Sequence, residues 1–168
     1  MGYTTDFHGE FKLDRPLDPN HKTYLEKFSE TRRMLRDAMK ASKLADPVRE
    51  AVNLPIGEDA GYFVGGRGFA GQDNDESVKN HNGNPANQPS LWCGWIPNED
   101  GTAIEWNGVE KFYEYIDWIK YIIENFLKRW GYTLNGEVEW EGEDRDDFGK
   151  IVITDNTVKV QNGYRSYE

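Results

Sequence analysis

The stretch GEVEWEGEDRDDFGKIVITDNTVKVQNGY, residues 136–164, decides the fold. Val138 and Trp140 alternate with Glu137, Glu139 and Glu141, the period-two pattern of a half-buried strand. GKIVITD and TVKVQNGY are two further β-branched runs. Turn signals at Gly142–Asp147 and Asp155-Asn156 separate the three, and the second predicts a hairpin. Upstream, LWCGWIP and TAIEWN flank a turn at Asn98-Glu99-Asp100-Gly101. GYTTDFHGEFKL reads as a first strand with Tyr3, Thr5, Phe7 and Phe11 inward, and AGYFVGG as a short one.

Two segments carry helical spacing instead. LDPNHKTYLEKFSETRRMLRDAMKASKL has Asp18 as N-cap, Pro19 in the first turn and an apolar stripe through Tyr24, Phe28, Thr31, Leu35, Ala38 and Met39. Residues 109–130 put Phe112, Tyr115, Ile116, Ile119, Ile122, Ile123, Phe126, Leu127 and Trp130 on one broad face, with Gly131 as the C′ residue. The order β-α-β-β-β-α-β-β-β predicts an α+β fold. It is a single domain over 1–168, with a mostly antiparallel sheet of about six to seven strands packed by two amphipathic helices.

Composition narrows the function classes. The net charge of −10 and pI near 4.8 argue against direct binding of nucleic acid or an anionic membrane, both of which need a basic surface. The basic groups concentrate before residue 50, on the first predicted helix. One cysteine, Cys93, allows no internal disulfide and reads as a buried, inert thiol between Trp92 and Trp95. The N-terminus lacks a signal-peptide pattern and no apolar run reaches a membrane span, so the expected localisation is cytoplasmic.

Residues 65–90 are a polar loop well above ordinary connection length, and such loops often bind. Gly66, Gly68 and Gly71 give G-x-G-x-x-G, but no helix follows and Asp73, Asp75 and Glu76 would repel a phosphate. No acidic residue stands about 20 positions on for a ribose. The EF-hand pattern fails as well, since its sixth and twelfth positions hold Val78 and Asn84. No cofactor and no metal site is therefore expected. A metal-dependent hydrolase at Asp73 and Asp75 stays open as an alternative. The favoured use of the loop is binding of a protein or a small polar, nucleotide-like ligand. Its groups would be Arg67, Phe69, Gln72, Asp73, Asp75, Ser77 and Gln88, with Trp92 and Trp95 behind them.

The segments MGYTTDF-GEFKLD-PL, YLEKFSETRRM, YFVGG-GF-GQD-D-SV, QP-LWC-W, EKFYEYIDWI and LNGEVEW-GED-DDFG-I together resemble a set of small acidic proteins common in phage, prophage and bacterial sequences. The resemblance covers nearly the whole chain. It implies a cytoplasmic protein of a phage or mobile element, and with it takeover of the host or interference with host defence. It implies no particular activity.

Three further groupings stand out. Arg32, Arg33 and Arg36, with Lys40 and Lys43, would share a third of a helix circumference. They could receive phosphates as arginine forks, or pair with acids of the sheet. Glu137, Glu139 and Glu141 would share one strand face about 6.5–7 Å apart. With Glu143, Asp144, Asp146 and Asp147 they would form a DNA-mimic edge over residues 137–147, or a charged strand guarded against edge pairing. Trp118 and Tyr121 would project from the second helix and contact a partner or a second copy of the chain, unless another segment covers them. The three histidines share no catalytic motif, so the chain reads as a non-enzymatic binding protein that blocks or sequesters a host component.

Overall fold

The computed structural model describes residues 2–65 and 75–164. The fold is α+β, with a six-stranded antiparallel sheet and a small two-stranded one. The chain forms two compact units, Met1–Pro16 with Gly94–Glu168, and Leu17–Cys93.

The first unit holds the six-stranded sheet. Its strands are β1 (Thr5–Leu13), β4 (Trp95–Pro97), β5 (Ala103–Trp106), β6 (Leu134–Gly142), β7 (Phe148–Thr154) and β8 (Thr157–Asn162), in the order β4-β5-β1-β6-β7-β8. The β7–β8 hairpin turns through Asp155 and Asn156 at φ 46° and 68°. These are the left-handed values a two-residue type I′ turn needs. As expected, Thr5, Phe7 and Phe11 point inward. Phe7 packs edge-on against Trp95 at 5.4 Å and Tyr115 at 5.0 Å.

The helical layer of this unit is α4 (Tyr115–Ile122), a π-helical turn Ile123–Leu127 and α5 (Lys128–Trp130), closed by Gly131 at φ 84°. The helix begins later than expected, and Trp118 and Tyr121 do not project. Both are buried, and their rings meet edge-on at 5.5 Å. The buried arc also takes in Ile119, Ile122, Ile123, Phe126 and Leu127. At 100° per residue it covers about two thirds of the circumference. Asp117, Lys120, Glu124, Lys128 and Arg129 are exposed. The broad face expected from the spacing is wider still, because Trp118 and Tyr121 join it.

The second unit begins with α1 (Pro19–Glu30). Asp18 caps it by accepting from the Asn20 amide at 2.9 Å. The helix was expected to run to residue 44, but it stops at Glu30. Thr31 is extended, and its hydroxyl donates back to the Lys27 carbonyl at 2.6 Å. Beyond it the amides find acceptors outside any helix. Arg33 N donates to Leu91 O at 2.8 Å, Leu35 N to Gly83 O at 2.7 Å and Asp37 N to Ser77 O at 2.7 Å. Residues 35–36 become β2 (Leu35–Arg36), antiparallel to β3 (Val78–Asn80) inside the expected loop. Tertiary acceptors have overridden local helix spacing.

Two short helices follow, α2 (Ala38–Ala41) capped by Asp37 and α3 (Pro47–Glu50) capped by Asp46. The Asp46 carboxylate is buried and accepts from Arg49 Nε at 2.9 Å and Val64 N at 3.2 Å. Burial pushes its pKa up, against the pull of those two donors. AGYFVGG forms no strand over its described residues. Glu58–Ala60 is a 3-10 turn, and Phe63 and Val64 drop into the core with Tyr24, Leu25 and Phe28. Cys93 is buried, as expected.

Candidate functional site

The loop grouping is only partly within view. Arg67, Phe69, Gln72 and Asp73 lie outside the described residues, as do Gly66, Gly68 and Gly71. Because α1 ends early, Arg33 and Arg36 form no helical stripe, and both are buried. Arg33 Nη2 donates to the Phe63 carbonyl, and its guanidinium lies 4.1 Å from the Phe28 ring centre. Arg36 Nη1 donates to Asp75 Oδ2 at 3.0 Å and Ser77 Oγ at 2.7 Å, while its guanidinium lies 4.5 Å from the Phe63 ring centre. One arginine therefore holds the chain before residues 66–74 and the other holds it after them.

The other loop residues have similar internal tasks. The Ser77 hydroxyl and amide both donate to Asp75. Burial pushes the Asp75 pKa up, but those donors and Arg36 outweigh it and leave the carboxyl below its ordinary value. Gln88 is buried and donates to Gly61 O at 2.7 Å. Arg32 donates to His81 O at 2.9 Å and Asn82 Oδ1 at 3.2 Å, and lies 6.0 Å from the ring of half-exposed Trp92. Trp95 is the first residue of β4. It belongs to the core of the first unit, 1% exposed, with Nε1 donating to Tyr115 O at 2.8 Å.

The second grouping is complete and exposed. Glu137, Glu139 and Glu141 share the face of β6 opposite Val138 and Trp140. β6 is an interior strand, so its charge does not guard an edge. The register extends the face across neighbouring strands. Asp6, Glu141 and Phe148 form one cross-strand row. His8, Glu139, Lys150 and Gln161 form the next, and Glu10, Glu137, Val152 and Lys159 the third. Lys150 Nζ approaches Glu137 at 3.8 Å and Glu139 at 4.0 Å, and Lys12 pairs with Glu10 at 2.9 Å. Among the described residues, Asp6 and Glu141 have no side-chain hydrogen bond or ion pair.

Two glycines draw the central strands together. Gly9 has φ 108° and Gly136 φ 139°. A Cβ on Gly9 would lie 2.7 Å from Glu137 O, and one on Gly136 would lie 2.9 Å from Glu10 O. Both positions require glycine, for conformation and for space. Asp6, His8, Glu10 and Phe148 were missed as members of this face. Their alternation with Phe7 in DFHGE carried the signal for the first three.

Among the described residues, no group of three His, Cys, Asp or Glu side chains is placed to hold a metal ion, and no helix is long and apolar enough to cross a membrane. Comparison with known proteins finds no matching family model, no matching curated protein and no matching solved structure.

Proposed function

We propose that this chain is a non-enzymatic binding protein that presents the outer face of its six-stranded sheet to a basic partner, standing in for a nucleic-acid backbone. One observation carries the reading. Two like-charged pairs, Glu10 with Glu137 and Asp6 with Glu141, sit directly opposite each other on interior strands. Each such pair costs folding stability on the order of 0.2–1 kcal/mol. A merely solvated face gains nothing from that arrangement, whereas a basic partner converts the repulsion into attraction. Alternate carboxylates along β6 stand about 6.5–7 Å apart. Successive phosphates on a DNA strand, each adding about 3.4 Å of rise plus rotation, have comparable spacing.

The test is fluorescence anisotropy with a labelled twelve-residue Lys-Gly repeat peptide at low and moderate salt. Wild type binds, and binding weakens as salt rises. The double variant Glu139→Lys, Glu141→Lys loses binding. The variant Glu58→Lys, Glu99→Lys makes the same change in net charge at exposed positions off the face, and retains most of it. Equal loss in both variants would show net charge alone at work and sink the proposal.

A further inference from the structure

We infer that β8 is the edge through which two copies of this chain join, strand to strand, into one continuous antiparallel sheet. The inference is independent of the binding reading above. It concerns the end of the sheet and not its acidic face.

The two ends of the sheet differ. β4 ends one side with three residues and closes on Pro97, which has no N–H to donate. Shortness and proline are common ways of blunting an edge. β8 ends the other side with six residues, TVKVQN, in unbroken register with β7. Gly163 N donates to Phe148 O at 2.8 Å, and Gln161 stands opposite Lys150 and Lys159 opposite Val152. Hydrogen-bonded pairs alternate along an antiparallel ladder, so Thr157, Lys159 and Gln161 turn their backbone groups toward β7. Val158, Val160 and Asn162 turn theirs outward, and among the described residues no strand lies beside them.

A second observation marks the same edge. Val158 and Val160 stand opposite Ile153 and Ile151, which places them on the core side of the sheet. Ile151 and Ile153 are buried, whereas Val160 is 37% exposed and Val158 half-buried. A hollow of about 280 Å³ opens beside Val158, lined also by Ile123 and Lys120. The apolar side of the sheet therefore continues past its own cover, onto the strand whose backbone is unpaired.

The occupant that fits is a second copy. A two-fold axis through Val160 sets outward groups against outward groups: Val160 meets Val160 of the second copy, and Val158 meets its Asn162. Each such pair exchanges two hydrogen bonds. The two Val160 side chains cover each other, and on the opposite face Lys159 meets Gln161. A slip that centres the axis on Lys159 would instead set two lysines face to face, which is destabilising. Charge favours this edge as well. A net charge of −10 keeps copies apart, but β7 and β8 carry Lys150 and Lys159 and no acidic residue. The blunted β4 edge ends growth at two copies, a closed isologous contact. One strand is small beside the roughly 20–30 residues a side of a standard interface, so the dimer is weak.

The experiment is sedimentation of the full chain from about 10 μM to about 1 mM, the range of a weak contact. The weight-average mass of wild type climbs from one chain toward two, and does so more readily as salt screens the repulsion between copies. Val160→Lys, at an exposed position, sets two ammonium groups against each other at the axis and remains monomeric. Amide exchange by NMR locates the contact in wild type. The amides of Val158, Val160 and Asn162 exchange fast when dilute and slow several-fold when concentrated, while those of Lys159 and Gln161, bonded to β7, are protected throughout. If Val160→Lys fails to fold by circular dichroism, this alternating pattern decides. Wild type that stays monomeric at 1 mM, a dimer that survives Val160→Lys, or a dimer in which the three outward amides stay fast, each overturns the proposal.

Discussion

Glu10 and Glu137 face each other directly across β1 and β6, and each follows a glycine at positive φ. Gly9 and Gly136 let each strand pass within a distance of the other's carbonyl that no Cβ would permit. The backbone thus imposes the like-charge contact, which Lys12 beside Glu10 at 2.9 Å and Lys150 beside Glu137 at 3.8 Å offset only in part. Glu137→Gln should therefore stabilise the protein. The gain is on the order of 0.2–1 kcal/mol from the removed repulsion. At this chain length that is a melting-point rise of up to about 4 °C. Lys150 keeps Glu139 as a neighbour, so little favourable pairing is lost. The gain should shrink at high salt, since both carboxylates are exposed to screening. Calorimetric scans at low and high salt check this; a lower melting point in the variant would contradict it.

Arg36 is the reverse case, a buried cation whose removal has no cheap remedy. Its side chain is 2% exposed and bridges Asp75 and Ser77 while covering the Phe63 ring. Arg36→Met should cost about 3 kcal/mol, the low end for breaking a buried pair, because Asp75 is itself partly exposed. Arg36→Lys should recover little, since one ammonium cannot reproduce the flat guanidinium over Phe63. Urea unfolding measures both.

The same site sets an acid limit. The Asp75 carboxyl is held below its ordinary value in the fold, so the unfolded chain binds the proton first as pH falls. The contribution of Asp75 is full above the unfolded value of about 3.9. It is lost as pH drops through the lower folded value. The stability gap between wild type and Asp75→Asn should be constant from pH 7 to about 5 and close below pH 4. A gap independent of pH down to 3 would show that the charge on Asp75 contributes nothing.

The sheet was legible in the sequence because its signals are local. Val138 and Trp140 against Glu137, Glu139 and Glu141 need only strand geometry, and Asp155-Asn156 needs only turn chemistry. The early end of α1 was not legible. Residues 31–41 keep helical spacing, and only acceptors distant in sequence, at Ser77, Gly83 and Leu91, draw the chain out of a helix. For the same reason Arg33 and Arg36 read as a surface stripe and prove to be internal. Trp118 and Tyr121 show a second limit, since periodicity finds the centre of a buried arc better than its width. The acidic face was half legible. The β6 carboxylates follow from alternation, but their partners Asp6 and Glu10 require the β1–β6 register, which alternation does not supply.

An alkaline limit follows from Tyr115. Its half-buried phenol is pushed up to about 12, first by burial and then by the nearby negative charge of Asp147. Its ring lies 5.0 Å from Phe7 and 5.8 Å from Trp140, so it helps fill the aromatic core beneath the sheet. In the unfolded chain a tyrosine ionises near pH 10. Between about 10 and 12 the unfolded state has therefore lost a proton that the fold still holds, and stability falls as pH rises through that window. Below pH 10 the two states hold equal numbers of protons at this group, and no dependence arises from it. Tyr115→Phe keeps the ring and removes the titration. Its melting temperature should match that of wild type near pH 8 and decline less steeply from pH 10 to 12. A parallel absorbance titration of the folded wild type should show a tyrosine ionising about two pH units after ordinary ones. Identical alkaline slopes in the two proteins would remove Tyr115 as the cause and place the alkaline limit at other groups.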